Sequence, residues 1–258
     1  MQSVDKLGAT NCMGHPAINQ ARPVPAVSII VPVFNEVAQL DRLIAAANDW
    51  KADELFFVDG GSDDGTVNSL EQAFSGRDDV QVLSTTAGRA HQMQYGAERI
   101  RCPWALFVHA DTLLPTNFRD ALVASERTAC GWGRFNLEFE RGSSIYLNRA
   151  MRVIAAFINF RSRLTRIATG DQALFVRAEL LKRVGGIPIQ PIMEDIELCK
   201  RLKPIAKHHA SRLLVITSPR RWQQRGVVST VLLMWFMRLA YFLGVPASGL
   251  AKLYANVR

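Results

Sequence analysis

The sequence predicts an α/β fold, a largely parallel sheet with helices on both faces. Short β-branched runs alternate with amphipathic stretches along the first half, and a cluster of polar residues follows each run. Strands alternating with helices imply βαβ units, whose ligands bind where the carboxyl ends of the strands feed the loops.

The first run is VSIIVPV, residues 27–33, bounded by prolines. In VAQLDRLIAAANDW behind it, Val37, Leu40, Ile44 and Ala47 recur at helical spacing. The alternation continues with strand ELFFVD, helix TVNSLEQAF, strand VQVLST, a helix from Arg89 to Ile100, strand WALFVHAD and a helix from Thr116 to Glu126. From Gly131 the order changes to a strand WGRFNLEF, an apolar and basic helix from Ser144 to Arg161, a strand QALFVR and a helix around MEDIELCKRL. No GxGxxG follows any strand, so a dinucleotide-binding reading lacks its fingerprint.

The length of 258 residues suits one large domain with a full core. Lys and Arg number 31 against 23 acids, and after Glu197 there are 11 cations and no Asp or Glu. Such a tail suits an anionic neighbour: ligand phosphates, lipid head groups or nucleic acid. Cys12, Cys102, Cys130 and Cys199 show no metal-like spacing, which reads as reduced thiols in a cytoplasmic protein. Residues 1–26 have no apolar signal-like core and read as a flexible leader. VVSTVLLMWFM and LAYFLGVPASGLA, separated by Arg238, read as a packed core helix, an interfacial helix or a membrane span.

The polar residues fall behind the strands: Asn35 and Glu36, then Asp59 to Asp64, then Gly88 and Arg89, then His109 and Asp111. In DGGSDDGT, glycines at 60, 61 and 65 let the backbone turn and approach a ligand, while Asp64 or Thr66 caps the next helix. Asp59 ends its strand, where a carboxylate can accept N–H groups of a base or sugar. His109 and Asp111 are two residues apart, so on a strand they point the same way and can share a divalent cation; a helix-capping Asp is the alternative. Glu194, Asp195 and Glu197 open a helix, either for its dipole or to supply a general base. Arg220, Arg221 and Arg225 surround Trp222, which suits a diphosphate or a solvated basic face.

In this order, VSIIVPVFNE, VDGGSDDGT, HADT, the ED pair and RRW resemble a family 2 glycosyltransferase of the GT-A fold over roughly residues 27–225, with 226–258 as an apolar, basic helical segment. The resemblance implies a sugar-nucleotide donor, a UDP-sugar by the uracil contact of Asp59, together with Mn²⁺ or Mg²⁺ and inverting displacement. It places Pro32, Phe34, Asn35, Glu36, Asp59, Gly61, Ala110, Arg221 and Trp222 at the donor, Asp111 and His109 at the metal, and Asp195 as base with Glu194 beside it. Two departures stand out: His109 and Gly60 occupy positions where the family carries acids. GRAHQMQYGA and TGDQALFVR are similar to a bacterial subgroup labelled arsenosugar-biosynthesis glycosyltransferases. That similarity puts Arg89 and Gln92 near the donor and Gly170, Asp171 and Gln172 on the acceptor side. The implied acceptor is a small molecule or a lipid-linked hydroxyl compound, with the protein peripheral on the inner membrane face through its C-terminus. No nucleic-acid motif is present; a sugar nucleotidyltransferase-like enzyme and a basic membrane-surface module are the alternatives.

Overall fold

The computed structural model describes residues 24–256, so the expected leader lies almost wholly outside the described residues. The strands are β1 (Val27–Val33), β2 (Glu54–Asp59), β3 (Val80–Ser84), β4 (Trp104–Phe107), β5 (Thr112–Leu113), β6 (Cys130–Phe139), β7 (Leu174–Arg177) and β8 (Lys207–Thr217). The helices are α1 (Leu40–Asp49), α2 (Thr66–Ala73), α3 (Arg89–Ala97), α4 (Arg119–Arg127), α5 (Ile145–Thr165), α6 (Ala178–Arg183), α7 (Glu194–Leu202), α8 (Arg220–Arg225), α9 (Val227–Phe242) and α10 (Ala247–Asn256).

The strands form one sheet in the order β3-β2-β1-β4-β7-β6-β8-β5. β1 to β4 run parallel, as the alternation predicts. β7 is antiparallel to both β4 and β6, and β5 to β8, so the second half is mixed rather than parallel. The ends of β1 and β4 lie side by side, where successive crossovers diverge and leave a crevice.

Period-2 alternation sorts the core into two layers. Ile29, Val31 and Val33 of β1 pack on one face with Leu43 of α1, Leu70 of α2 and Met151 of α5. Ile30 faces the other layer with Met93 of α3, Leu181 of α6 and Ile196 of α7. Ser144 caps α5, its Oγ accepting the Leu147 N–H at 3.3 Å, and Arg166 ends that helix in the left-handed region at φ 56°.

Three expectations change. The strand expected through Asp111 ends at Phe107, because the Thr112 N–H donates to the His109 carbonyl at 3.0 Å and turns the chain. His109 and Asp111 therefore do not share a strand face. β8 and α6 went unanticipated, since KHHASRLLVIT alternates poorly and AELLKR is short. Among the described residues no helix is long and apolar enough to cross a membrane; Arg238, Gly244 and Pro246 interrupt the apolar C-terminal stretch.

Candidate active site

The loops after β1 and β2 are laced together by the acidic stretch. The Asn35 N–H donates to Ser62 Oγ at 2.9 Å, and Asn35 Oδ1 accepts the Asp63 N–H at 3.1 Å. Thr66 Oγ1 accepts the Glu36 N–H, and Asp64 Oδ2 the Val37 N–H, both at 3.0 Å. Asp64 Oδ1 also accepts the Thr66 N–H at 3.0 Å, satisfying the start of α2. Asn35 takes a positive φ of 52°, which this lacing sustains. Phe34 is left 52% exposed beside the partly buried Pro32, an aromatic face at the strand end on which a base can stack.

Asp59 is buried and turned into its own loop. Its carboxylate accepts the Gly61 N–H at 2.8 Å, the Ser62 N–H at 3.0 Å and the Ser62 hydroxyl. The carboxylate thus shapes the turn, in which Gly61 adopts φ 93°. Buried Gln92 of α3 clamps the two strand ends, donating to the carbonyls of Val33 at 2.6 Å and Val58 at 2.8 Å. A methyl group at Gly60 would lie 3.1 Å from that amide. The missing acid at position 60 and the glutamine at 92 are one packing arrangement.

A second, partly buried arrangement crosses the crevice. Glu194, 2% exposed, forms an ion pair with Arg89, whose Nη1 lies 3.3 Å from His109 Nε2. His109 Nδ1 lies 3.1 Å from Asp171. A guanidinium can only donate, so Nε2 accepts from Arg89 and Nδ1–H donates to Asp171. Burial disfavours the Arg89 cation, but Glu194, Asp195 and Asp171 outweigh it and hold the guanidinium above its ordinary range. A methyl group at Gly170 would fall 2.2 Å from His109 Nε2, so this histidine requires that glycine. Gln172 is buried in the same short turn and donates to Ser162 Oγ at 3.0 Å, a contact that ties the turn to α5.

Asp195 stands at the amino end of α7, where Met193 holds φ 64° and turns the acidic pair into the crevice. Its Oδ2 accepts the Gly170 N–H at 2.8 Å and its Oδ1 the Ile196 N–H at 2.7 Å. The two adjacent acids have separate fates: Glu194 is consumed by Arg89, and Asp195 stays partly exposed.

For a cation, the oxygen donors are Asp111 and Glu36. Burial raises the Glu36 carboxyl, Arg220 at 3.8 Å lowers it, and the neighbouring Asp111 and Asp64 raise it again. Two hard-oxygen groups in mutual repulsion fit a divalent ion, which would relieve that repulsion. His109 does not join them as arranged, because both ring nitrogens are engaged. No group of three His, Cys, Asp or Glu side chains gathers at a metal-sized site among the described residues. Trp222 packs edge-on against Phe139 at 5.7 Å, next to Arg220; the Arg221 side chain lies outside the described residues. Ala110 is partly buried against the core beneath Asp111.

Residues 28–128 match the family model for glycosyl transferase family 2. That stretch is similar to a family 2 glycosyltransferase domain. It is 26% identical over 210 residues to the undecaprenyl-phosphate 4-deoxy-4-formamido-L-arabinose transferases of Salmonella paratyphi B and Salmonella newport, covering 74% of this chain. The chain spans 62% of those relatives' length. S. aureus TarS 1–349, solved with UDP-GlcNAc, matches at TM-score 0.58 and 16% identity over 75% of this chain and 58% of that one. The Pyrobaculum calidifontis mannosyltransferase PcManGT, in complex with GDP-Man and Mn²⁺, matches at TM-score 0.57 and 19% identity over 84% of this chain and 61% of that one. These likenesses show the GT-A fold.

Sequence reasoning missed Arg161 and Arg238, which reach the region of Asp195 from α5 and α9. The signal was present for Arg238, a lone cation inside an apolar helical run; Arg161 is one of four arginines on α5 and carried none.

Proposed function

We propose that this chain is an inverting glycosyltransferase that moves a sugar from a UDP-sugar to an acceptor hydroxyl, with Asp195 as general base. The carrying observation is the division of labour at α7, where one acid is neutralised by Arg89 and the other is held on two N–H groups with an open side. A single oriented carboxylate suits one displacement, in which the base takes the acceptor proton while the donor is attacked from the opposite face.

Phe34, Asn35 and the turn at Gly61 form the nucleotide side, with Asp59 and Gln92 holding that turn in shape. Asp111 with Glu36 would hold Mn²⁺ or Mg²⁺, which supplies charge neutralisation to a bound diphosphate. Arg89 places a fixed positive charge at the same crevice, and Arg220 with Trp222 borders it. Asp171 keeps His109 in one tautomer, and Gly170 leaves room for the ring. Residues 27–225 are the catalytic unit and 226–258 an appended helical segment; a peripheral position on the inner membrane face accords with the exposed apolar side chains of α9. The likeness of GRAHQMQYGA and TGDQALFVR to the arsenosugar-labelled subgroup accords with their contacts to Gly60 and His109, the two departures from the family pattern.

Asp195→Asn tests the base. Transfer to a confirmed acceptor should fall on the order of a thousandfold while donor binding is kept; full transfer by the variant sinks the assignment.

A further inference from the structure

Asp195 has basic neighbours that the reaction as described leaves without a task. Arg161 lies on α5 and Arg238 on α9, and both feel the charge of Asp195, Arg238 also that of Asp171. The Nη2 atoms of both are sealed from solvent and have no hydrogen-bond partner among the described residues. Arg161 Nη1 makes one long contact, 3.4 Å, to the Ile167 carbonyl. Burial drags the Arg161 guanidinium down to about 10, and repulsion from Arg238 adds to that; it still carries its charge at neutral pH. Two half-buried cations in mutual repulsion, each with a sealed and unmet donor, are a costly arrangement that an anion between them would stabilise.

The surface beside these arginines is apolar. Phe157 and Trp235 stack at 5.6 Å and join α5 to α9. Arg161 follows Phe157 by four residues and Arg238 follows Trp235 by three, so each guanidinium sits about one turn along from the stacked pair. Phe160 and Leu164 of α5 and Leu239 and Phe242 of α9 are all more than half exposed. Neither helix contains an acid, and exposed Arg149, Arg152 and Arg163 flank this face on α5. Apolar side chains with cations around them suit an anionic lipid at a bilayer surface.

We infer that Arg161 and Arg238 form the phosphate site for a lipid monophosphate acceptor whose hydrocarbon chain runs over the exposed apolar faces of α5 and α9. The inference deepens the glycosyltransferase reading by naming the acceptor class, and rests on Asp195 facing the acceptor. The phosphate supplies acceptors for the unmet Nη2 donors, and the aromatic pair guides the chain from the bilayer toward Asp195.

Flotation of the full chain with vesicles tests this without donor or metal, so its outcome is independent of whether Asp195 is the base. Three vesicle types are compared: phosphatidylcholine with a polyprenyl monophosphate, with the corresponding polyprenol, and with phosphatidylserine at matched surface charge. The monophosphate vesicles should hold the protein on the order of tenfold more tightly than either other type, the worth of one charge-assisted hydrogen bond. Arg161→Gln with Arg238→Gln should erase that difference, and Arg161→Lys with Arg238→Lys should keep part of it. Should the glutamine pair lower the melting temperature sharply, Phe157→Ser with Trp235→Ser, both on the exposed face, serves instead and should weaken binding to all three. Equal binding to phosphatidylserine would show a general anionic surface and overturn the proposal. So would equal binding to the polyprenol, a phosphate preference that survives the glutamine pair in a folded protein, or vesicle binding unchanged by the serine pair.

Discussion

The two sides of the crevice handle their polar groups in opposite ways. On the side built from β1, β2 and α3, the carboxylates, amides and hydroxyls satisfy one another: Ser62 with Asn35, Asp64 with Val37, Gln92 with two strand carbonyls. On the side built from α5, α7 and α9, Arg161 and Arg238 remain unmet at Nη2. The first side is a finished cradle whose shape precedes its ligand. The second leaves two guanidinium donors without partners among the described residues, and the proposed lipid phosphate would supply them.

The Arg89–Glu194 pair joins the two sides, and breaking it should have the largest effect on stability. Arg89→Leu leaves Glu194 buried and alone, and should cost about 3 kcal/mol in chemical denaturation. Arg89→Leu with Glu194→Leu should recover most of that loss. A double variant as unstable as the single one would mean that the pair does not act as a unit.

A smaller effect is expected at the contact between Gly170 and His109. Gly170→Ala forces a methyl group into the imidazole and should cost about 2 kcal/mol. His109→Ala in the same chain should relieve most of it, as read from melting curves. Full cost in the double variant would place the strain elsewhere.

The effect that is smallest at neutral pH lies away from the crevice. His208 of β8 packs against Trp132 at 4.5 Å, and burial followed by nearby Arg134 pushes its imidazole down to about 3. The unfolded chain takes up a proton near pH 6.5 that the folded chain refuses, so stability is full above that pH and falls as pH drops toward 3. The slope should approach roughly 1.4 kcal/mol per pH unit, and His208→Phe should flatten it. An unchanged slope in that variant would assign the acid sensitivity to other groups.

Much of this was legible in the sequence. Period-2 runs and helical spacing marked β1 to β4 with their helices, because β1, β2 and β4 are buried apolar runs with their loops close behind and β3 alternates between partly buried and exposed residues. Asn35, Glu36, Asp59 and Asp195 lie at the strand and helix ends where the sequence placed them, whereas Asp111 lies four residues beyond the end of β4. The mixed half of the sheet was not legible: β8 carries two histidines and two basic residues, and its pairing with β6 spans two register shifts. Spacing also misread His109, because a single backbone hydrogen bond at Thr112 ended the strand geometry on which the reading relied. The role of Asp59 was legible only as a place, since its partners are N–H groups two and three residues onward. Arg161 and Arg238 lie 77 residues apart in sequence and meet only because α9 packs on α5.

Calorimetric titration of UDP into the full chain, with Mn²⁺ and then with EDTA, repeated for Asp111→Ala, tests the donor cradle most directly. The proposed site predicts binding that needs the cation and is abolished by the substitution. Absence of UDP binding in both conditions would contradict a UDP-sugar donor at this crevice.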